Sequence, residues 1–332
     1  MRIQIVTGAP EGAPFRLRMA PVARWLREEG HAVDVHVRPR QGFALREVDA
    51  IAREADRIIV HRRLLEPREA RRFGAAGKPI YLDLDDAIMF DADQRSRLSL
   101  WKRRRRLAAT AGVLTGVVAG NEYLLEFFRS RGVSGVISPT SVEPDHYVVK
   151  QHAPTETPTL VWIGSNSTMK YLEALMPALE ATASKISGLR LLTICDRQVR
   201  SRLIRTEHVA WSLETEASSL SRGDIGIAPL PEDRWTLGKC AFKIVQYLAT
   251  GLPVIASPVG PQREMATEQN GFLAQSTEQW ISAIERLAGD ADLRAKMGAA
   301  SRELAERSYS IRAVCDVWAR TLSLNQRAMT ER

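Results

Sequence analysis

The chain is poor in cysteine, with only Cys195, Cys240 and Cys315 among 332 residues. Scattered in this way they supply neither a disulfide framework nor the paired spacing of a metal site, so a reducing cytoplasm is the expected compartment. No apolar run approaches the ~20 residues of a membrane span. The opening MRIQIVTGAPEG enters a strand directly and has none of the zones of a secretory signal. No internal repeat or low-complexity tract is present. The glycines after the first strand do not have the spacing of a dinucleotide fingerprint. The one strong basic run lacks interleaved aromatics, which argues against nucleic acid.

What is present suits one large or two medium domains. At 45% hydrophobic residues the chain can bury sizeable cores. Its net charge of +8 is uneven. Residues 1–150 hold 26 lysines and arginines against 19 acids, whereas residues 151–332 hold 21 against 20. The excess therefore sits in the first half and points to an acidic partner there.

The most informative stretch is 224–260, DIGIAPLPEDRWTLGKCAFKIVQYLATGLPVIASPVG. Residues 224–229 read as a buried strand and 231–238 as a loop. A helix is expected from Lys239 until Gly251 and Pro253 stop it, with a strand at 254–256. Lys239, Lys243 and Gln246 then fall at i, i+4 and i+7, on one face. A glycine before a helix N-terminus, followed by lysines on that face, suits a diphosphate. A solvated stripe on a surface helix is the bland alternative.

The same residues carry a resemblance. Gly238-Lys239, Phe242-Lys243, the run from Tyr247 to Ser257, Val259-Gly260 with Glu264, and Asn270-Gly271-Phe272-Leu273 are similar to the pattern of group-one retaining glycosyltransferases of the GT-B fold. The similarity runs from about residue 160 to 322 and is weaker before. It implies an α/β fold of two Rossmann-like domains facing across a cleft. Residues 1–150 would form the acceptor domain and 158–310 the donor domain, with 311–332 crossing back to the first. It also implies transfer of a sugar from a nucleotide diphosphate sugar, as co-substrate, to an acceptor hydroxyl with retention. No cofactor and no metal are implied. The family's two glutamates are replaced here by Gly238 and Gln246, and an amide gives no charge-assisted bond. A nucleotide-sugar epimerase of the same fold and a non-catalytic binding homologue are the alternatives.

Site residues follow from both lines of reasoning. Lys239, Lys243 and the backbone at Gly238 are expected to meet the diphosphate, together with the loop Gly164, Ser165 and Ser167. Arg197, Glu214 and Gln246 complete the donor side. In the first half, Gly12, Arg16 and Arg18 follow the first strand, and Asn121 opens a helix. His61 ends one strand, and Asp83, Asp85 and Asp86 end another. His61 and Asp85 are candidate catalytic groups and Asp86 an acceptor contact, with capping aspartates as the plain alternative. Lys102, Arg103, Arg104, Arg105 and Arg106 lie on a helix expected over 96–111. With Leu98 and Trp101 they suit an anionic membrane surface, whereas packing of Leu98, Trp101 and Leu107 on the sheet is the alternative. The acceptor is expected to be a glycan, a lipid-linked molecule or a peptide.

Overall fold

A computed structural model describes residues 1–90 and 97–324. The chain forms two compact units. The first comprises Met1–Ser141, Asp233–Cys240 and the chain from Ile311, and the second Val142–Glu232 and Ala241–Ser310.

In the first unit the strands are β1 (Arg2–Thr7), β2 (Ala32–Val37), β3 (Arg57–His61), β4 (Ile80–Leu84), β5 (Gly116–Ala119) and β6 (Gly135–Ile137). They form one parallel sheet in the order β2-β1-β3-β4-β5-β6. Its helices are α1 (Ala20–Glu28), α2 (Leu45–Glu54), α3 (Pro67–Ala75), α4 (Arg97–Ala111) and α5 (Glu122–Arg129). A parallel sheet must be covered on both faces, and alternation along β1 shows how. Ile3 and Ile5 join one core with Val22 and Leu26 of α1, and Val6 joins the other with Val48 and Phe73. The sequence pattern does little to announce α2 and α3. Charged residues outnumber their anchors, yet Val48, Ile51, Ala70 and Phe73 are buried.

The second unit alternates strand and helix: β7 (Thr159–Ile163), α6 (Asn166–Ala183), β8 (Arg190–Ile194), β9 (Arg205–Val209), α7 (Glu216–Leu220) and β10 (Ile225–Ala228). It continues with α8 (Phe242–Ala249), β11 (Val254–Ala256), α9 (Gln262–Met265), β12 (Gly271–Leu273), α10 (Thr277–Gly289) and α11 (Ala291–Leu304). The sheet order is β12-β11-β10-β7-β8-β9, again all parallel. The edge strand β9, RTEHV, has no apolar run to announce it in the sequence. The last helix, α12 (Ile311–Thr321), belongs to the first unit, where Val314, Trp318 and Leu322 complete the core of α1 and β1.

Candidate functional site

Open parallel sheets bind ligands beyond the carboxyl ends of their strands, where the strand order reverses. In the second unit that point lies between β7 and β10, and in the first between β1 and β3.

At the second unit's reversal, β7 ends in Ile163 and Gly164-Ser165 turns the chain into α6. Thr168 Oγ1 accepts from Ser165 N–H at 3.1 Å and donates to Ser165 carbonyl at 3.0 Å. Ser165 and Ser167 hydroxyls meet at 2.8 Å. This local bonding fixes the first turn of an 18-residue helix and leaves its N-terminus at a strand end. A Cβ at Gly164 would come 2.5 Å from the Trp162 ring and 2.8 Å from Thr168 Oγ1, so only glycine permits this turn. The same Trp162 ring carries Lys243, whose Nζ lies 4.4 Å from its centroid. A cation over a buried indole gains ~0.5–2 kcal/mol and is held in place. The loop and the lysine therefore share one indole at the reversal point, an arrangement able to hold a doubly charged anion.

The other donor-side residues are placed differently from the sequence reading. Helix α8 starts at Phe242 rather than Lys239, because Ala241 takes a left-handed backbone (φ 50°). The expected stripe of Lys239, Lys243 and Gln246 does not exist. Lys239 precedes the helix within the first unit, and Gln246 is buried at 3% exposure. The Gln246 amide donates to the Tyr147 hydroxyl at 3.4 Å, and burial raises the pKa of that phenol. Arg197 is ion-paired with Glu173 on the surface. Glu214 is exposed, and its neighbour Glu216 is the buried one, accepting from Trp211 Nε1 at 2.7 Å. Gln246→Glu should therefore destabilise the second unit by about 1–3 kcal/mol at neutral pH, since it buries a carboxylate opposite a neutral phenol. Burial raises such a carboxyl's pKa, so the loss should shrink as pH falls. Urea unfolding at pH 7 and pH 5 measures both, and wild-type stability at pH 7 would mean that the side chain reaches solvent.

In the first unit, β3 and β4 carry the polar cluster. Asp83 is wholly buried and its carboxylate receives Arg18 Nε at 2.9 and 3.0 Å, Arg18 Nη2 at 2.8 Å and His61 Nδ1 at 2.8 Å. Arg18 also donates to the carbonyls of Ser138 at 2.7 Å and Val118 at 3.2 Å. Arg18 lies in the π-helical turn Phe15–Met19 that leads into α1. The reading of Arg18 as an acceptor contact is corrected: at 1% exposure it is a buried tie between α1 and the sheet. Burial works to raise the Asp83 pKa, but Arg18 and then His61 overcome it and hold the carboxyl below its usual range. His61 is 2% exposed and edge-on to Phe15, with ring centroids 5.6 Å apart.

One step further out lies Arg62, whose φ of 51° is left-handed and costs a non-glycine residue ~1–2 kcal/mol. Its guanidinium meets Asp85 at 3.1 Å and Asp86 at 2.8 Å. Burial raises the Asp86 pKa against the pull of Lys239 and Arg62. Lys239 also lies 5.6 Å from the Trp235 ring centroid. Residues 233–240 are held here by Asn121, whose amide donates to the carbonyls of Leu237 at 3.3 Å and Lys239 at 3.1 Å. Asn121 is also the N-cap of α5, accepting from Leu124 N–H at 3.0 Å. Gly238 backs onto Ala87, where a Cβ would find another Cβ at 2.5 Å. Gly12 closes the turn before the π-helix, and Arg16 is half-buried within it. Among the described residues, no group of three His, Cys, Asp or Glu is placed to hold a metal ion.

On α4, Arg103 turns inward to the carbonyls of Ile88 and Phe90, and Arg106 pairs with Glu66. Leu107 packs on the core, whereas Leu98 and Trp101 are exposed. No described helix is long and apolar enough to cross a membrane.

Residues 157–290, which contain the Gly164 turn and Lys243, match the family described as glycosyl transferases group 1. No curated protein matches the chain by sequence. Among solved structures, HepE of Anabaena in complex with UDP is 16% identical, with 97% of this chain and 100% of that chain covered and a TM-score of 0.71. A glycosyltransferase of Rickettsia africae ESF-5 is 13% identical over 100% and 99%, with a TM-score of 0.70. Sucrose-phosphate synthase of Thermosynechococcus elongatus is 13% identical over 97% and 98%, with a TM-score of 0.67. These are likenesses of fold. Over residues 157–290, then, this chain is similar to the group 1 glycosyl transferases, and over its whole length it shares the fold of these solved structures.

Proposed function

We propose that the protein transfers a glycosyl group from a UDP-sugar to an acceptor hydroxyl, with retention and without a metal. The observation that carries this reading is the meeting of the Gly164–Ser165 turn and Lys243 on Trp162 inside the matched domain. The structures of HepE in complex with UDP and with UDP-glucose support uracil as the base. The bond from the anomeric carbon to the diphosphate breaks while the acceptor oxygen attaches on the same face. The hydroxyl proton passes to the leaving diphosphate. Charge growing on that group is met by Lys243 and the first turn of α6, which are in place beforehand and need no reorganisation. The first unit, with Asp85 and Asp86 at the end of β4, takes the acceptor, while buried His61 acts behind them through Asp83.

The test is a thermal-shift series with UDP, GDP and ADP, followed by transfer assays with UDP-sugars in EDTA. A native-state ligand raises stability by mass action, so UDP should raise the midpoint most. Product from a retaining enzyme keeps the donor's anomeric configuration by NMR. A chain that no nucleoside diphosphate stabilises would sink the reading.

For location, a cytoplasmic protein touching an anionic membrane through α4 is supported by the exposure of Lys102, Arg104 and Arg105 beside Leu98, Leu100 and Trp101. Three cations rather than five carry this contact, each contributing about 1 kcal/mol at most. Replacing those three with Gln should abolish salt-sensitive binding to phosphatidylglycerol vesicles. Vesicle binding that survives the replacement, or is absent from the wild type at low salt, removes α4 from the role.

A further inference from the structure

Arg63 follows β3 and lies across the carboxyl end of β1, so close that a Cβ at Gly8 would overlap its Nε, Cζ and Nη2. Gly8 and Arg63 thus occupy the reversal point of the first sheet, between β1 and β3, the place where such sheets bind ligands. The exposed Arg63 has no hydrogen bond, ion pair or ring contact among the described residues. Its surroundings are cationic: partial desolvation first, then Arg38, Arg62 and Arg40, lower its pKa.

The acids nearby are already engaged. Glu69 takes Arg38, with a closest approach of 2.6 Å, and the N–H groups of Phe43 and Glu66, each at 2.7 Å. Asp85 and Asp86 take Arg62. That leaves Arg63 and the exposed Arg40 as two guanidiniums without a counter-charge among the described residues. A guanidinium held among like charges is repelled by them and gains when an anion joins it. The left-handed backbone of Arg62 aims successive side chains in opposite senses, one to the aspartates and one over Gly8, and such strain is retained where a ligand uses it.

We infer that Arg63, over Gly8 and beside Arg40, binds a phosphate monoester on the acceptor. Two unpaired cations match its charge of nearly two, and the planar guanidinium fork matches its oxygens. Only the word acceptor rests on the glycosyl-transfer reading; the anion site does not.

The test uses the full chain, with glycerol 3-phosphate as a soluble probe in calorimetry and phosphatidic acid vesicles as the lipid probe. Arg63→Gln removes the fork. Gly8→Ala keeps it but forces it aside, so the two variants reach the same point by different routes. Both should raise the Kd of the responding probe about tenfold or more, as loss of one charge-assisted pair does. The UDP affinity should be unchanged in both, which also reports that they are folded. Arg63-dependent binding of glycerol 3-phosphate indicates a soluble phosphorylated acceptor, and of phosphatidic acid alone a lipid headgroup. Wild-type affinity for both probes in Arg63→Gln overturns the proposal, as does the lack of saturable binding of either probe by the wild type. Loss of UDP binding in the wild type would instead overturn glycosyl transfer and leave the anion site standing.

Discussion

Asp83→Asn should cost the first unit about 3–5 kcal/mol. The reason is burial: removing one partner of a buried ion pair strands the other, and among the described residues Arg18 makes no ion pair with a second carboxylate. Arg18 would keep its bonds to the Ser138 and Val118 carbonyls while its charge stayed in the core. Adding Arg18→Met should recover part of the loss, because no lone charge then remains buried. The pH dependence has a definite sign. The folded pKa of Asp83 lies below its ordinary value of 3.8, so its contribution is complete well above that value. The contribution is lost as pH falls through the ordinary value toward the folded pKa. The acid limb of stability should therefore flatten in Asp83→Asn. Hydrogen exchange of β4 and α1 reads the first unit separately. A loss below about 1 kcal/mol with an unchanged acid limb would show that the pair is not isolated from water.

Lys243→Ala should lower kcat/KM for a UDP-sugar from about tenfold to somewhat over a hundredfold. A charge-assisted contact to the diphosphate, worth ~1.5–3 kcal/mol, would disappear. The fold should persist, because Trp162 keeps its place in the core of α6 and β7 without the lysine. If the contact strengthens as the leaving group gains charge, kcat falls along with kcat/KM. Wild-type kinetics in a folded Lys243→Ala protein would remove the lysine from the site.

Much of this protein was legible in one dimension because its strongest signals are local. Short apolar runs ending in small or polar residues announced β1, β3, β4, β7, β8, β10 and β11, since a parallel strand is buried on both faces and must be apolar throughout. Gly164 with its serines announced a turn into a helix. The run from Gly238 to Leu273 announced the family, and the match over 157–290 bears that out. What failed were readings that needed long-range partners. Lys239 and Lys243 obey helical spacing, yet Asn121, over a hundred residues earlier, clamps the Leu237 and Lys239 carbonyls and Ala241 turns left-handed before α8 begins. Gln246 shares that helical spacing with the lysines, but Tyr147 lies ready to accept its amide inside the fold.

Arg18 and Arg63 separate the two kinds of information most clearly. Each is an arginine after an apolar element, with nothing local to distinguish them. Tertiary structure gives Arg18 a buried carboxylate and leaves Arg63 among other arginines, over a residue without a Cβ. The sequence by itself determined the alternation of strands and helices, the two Rossmann-like halves and the family of the second, because periodicity and glycine turns act over a few residues. Only the tertiary structure decided which charges are paired, because Coulomb energy depends on distance and burial, and neither is a property of position along the chain.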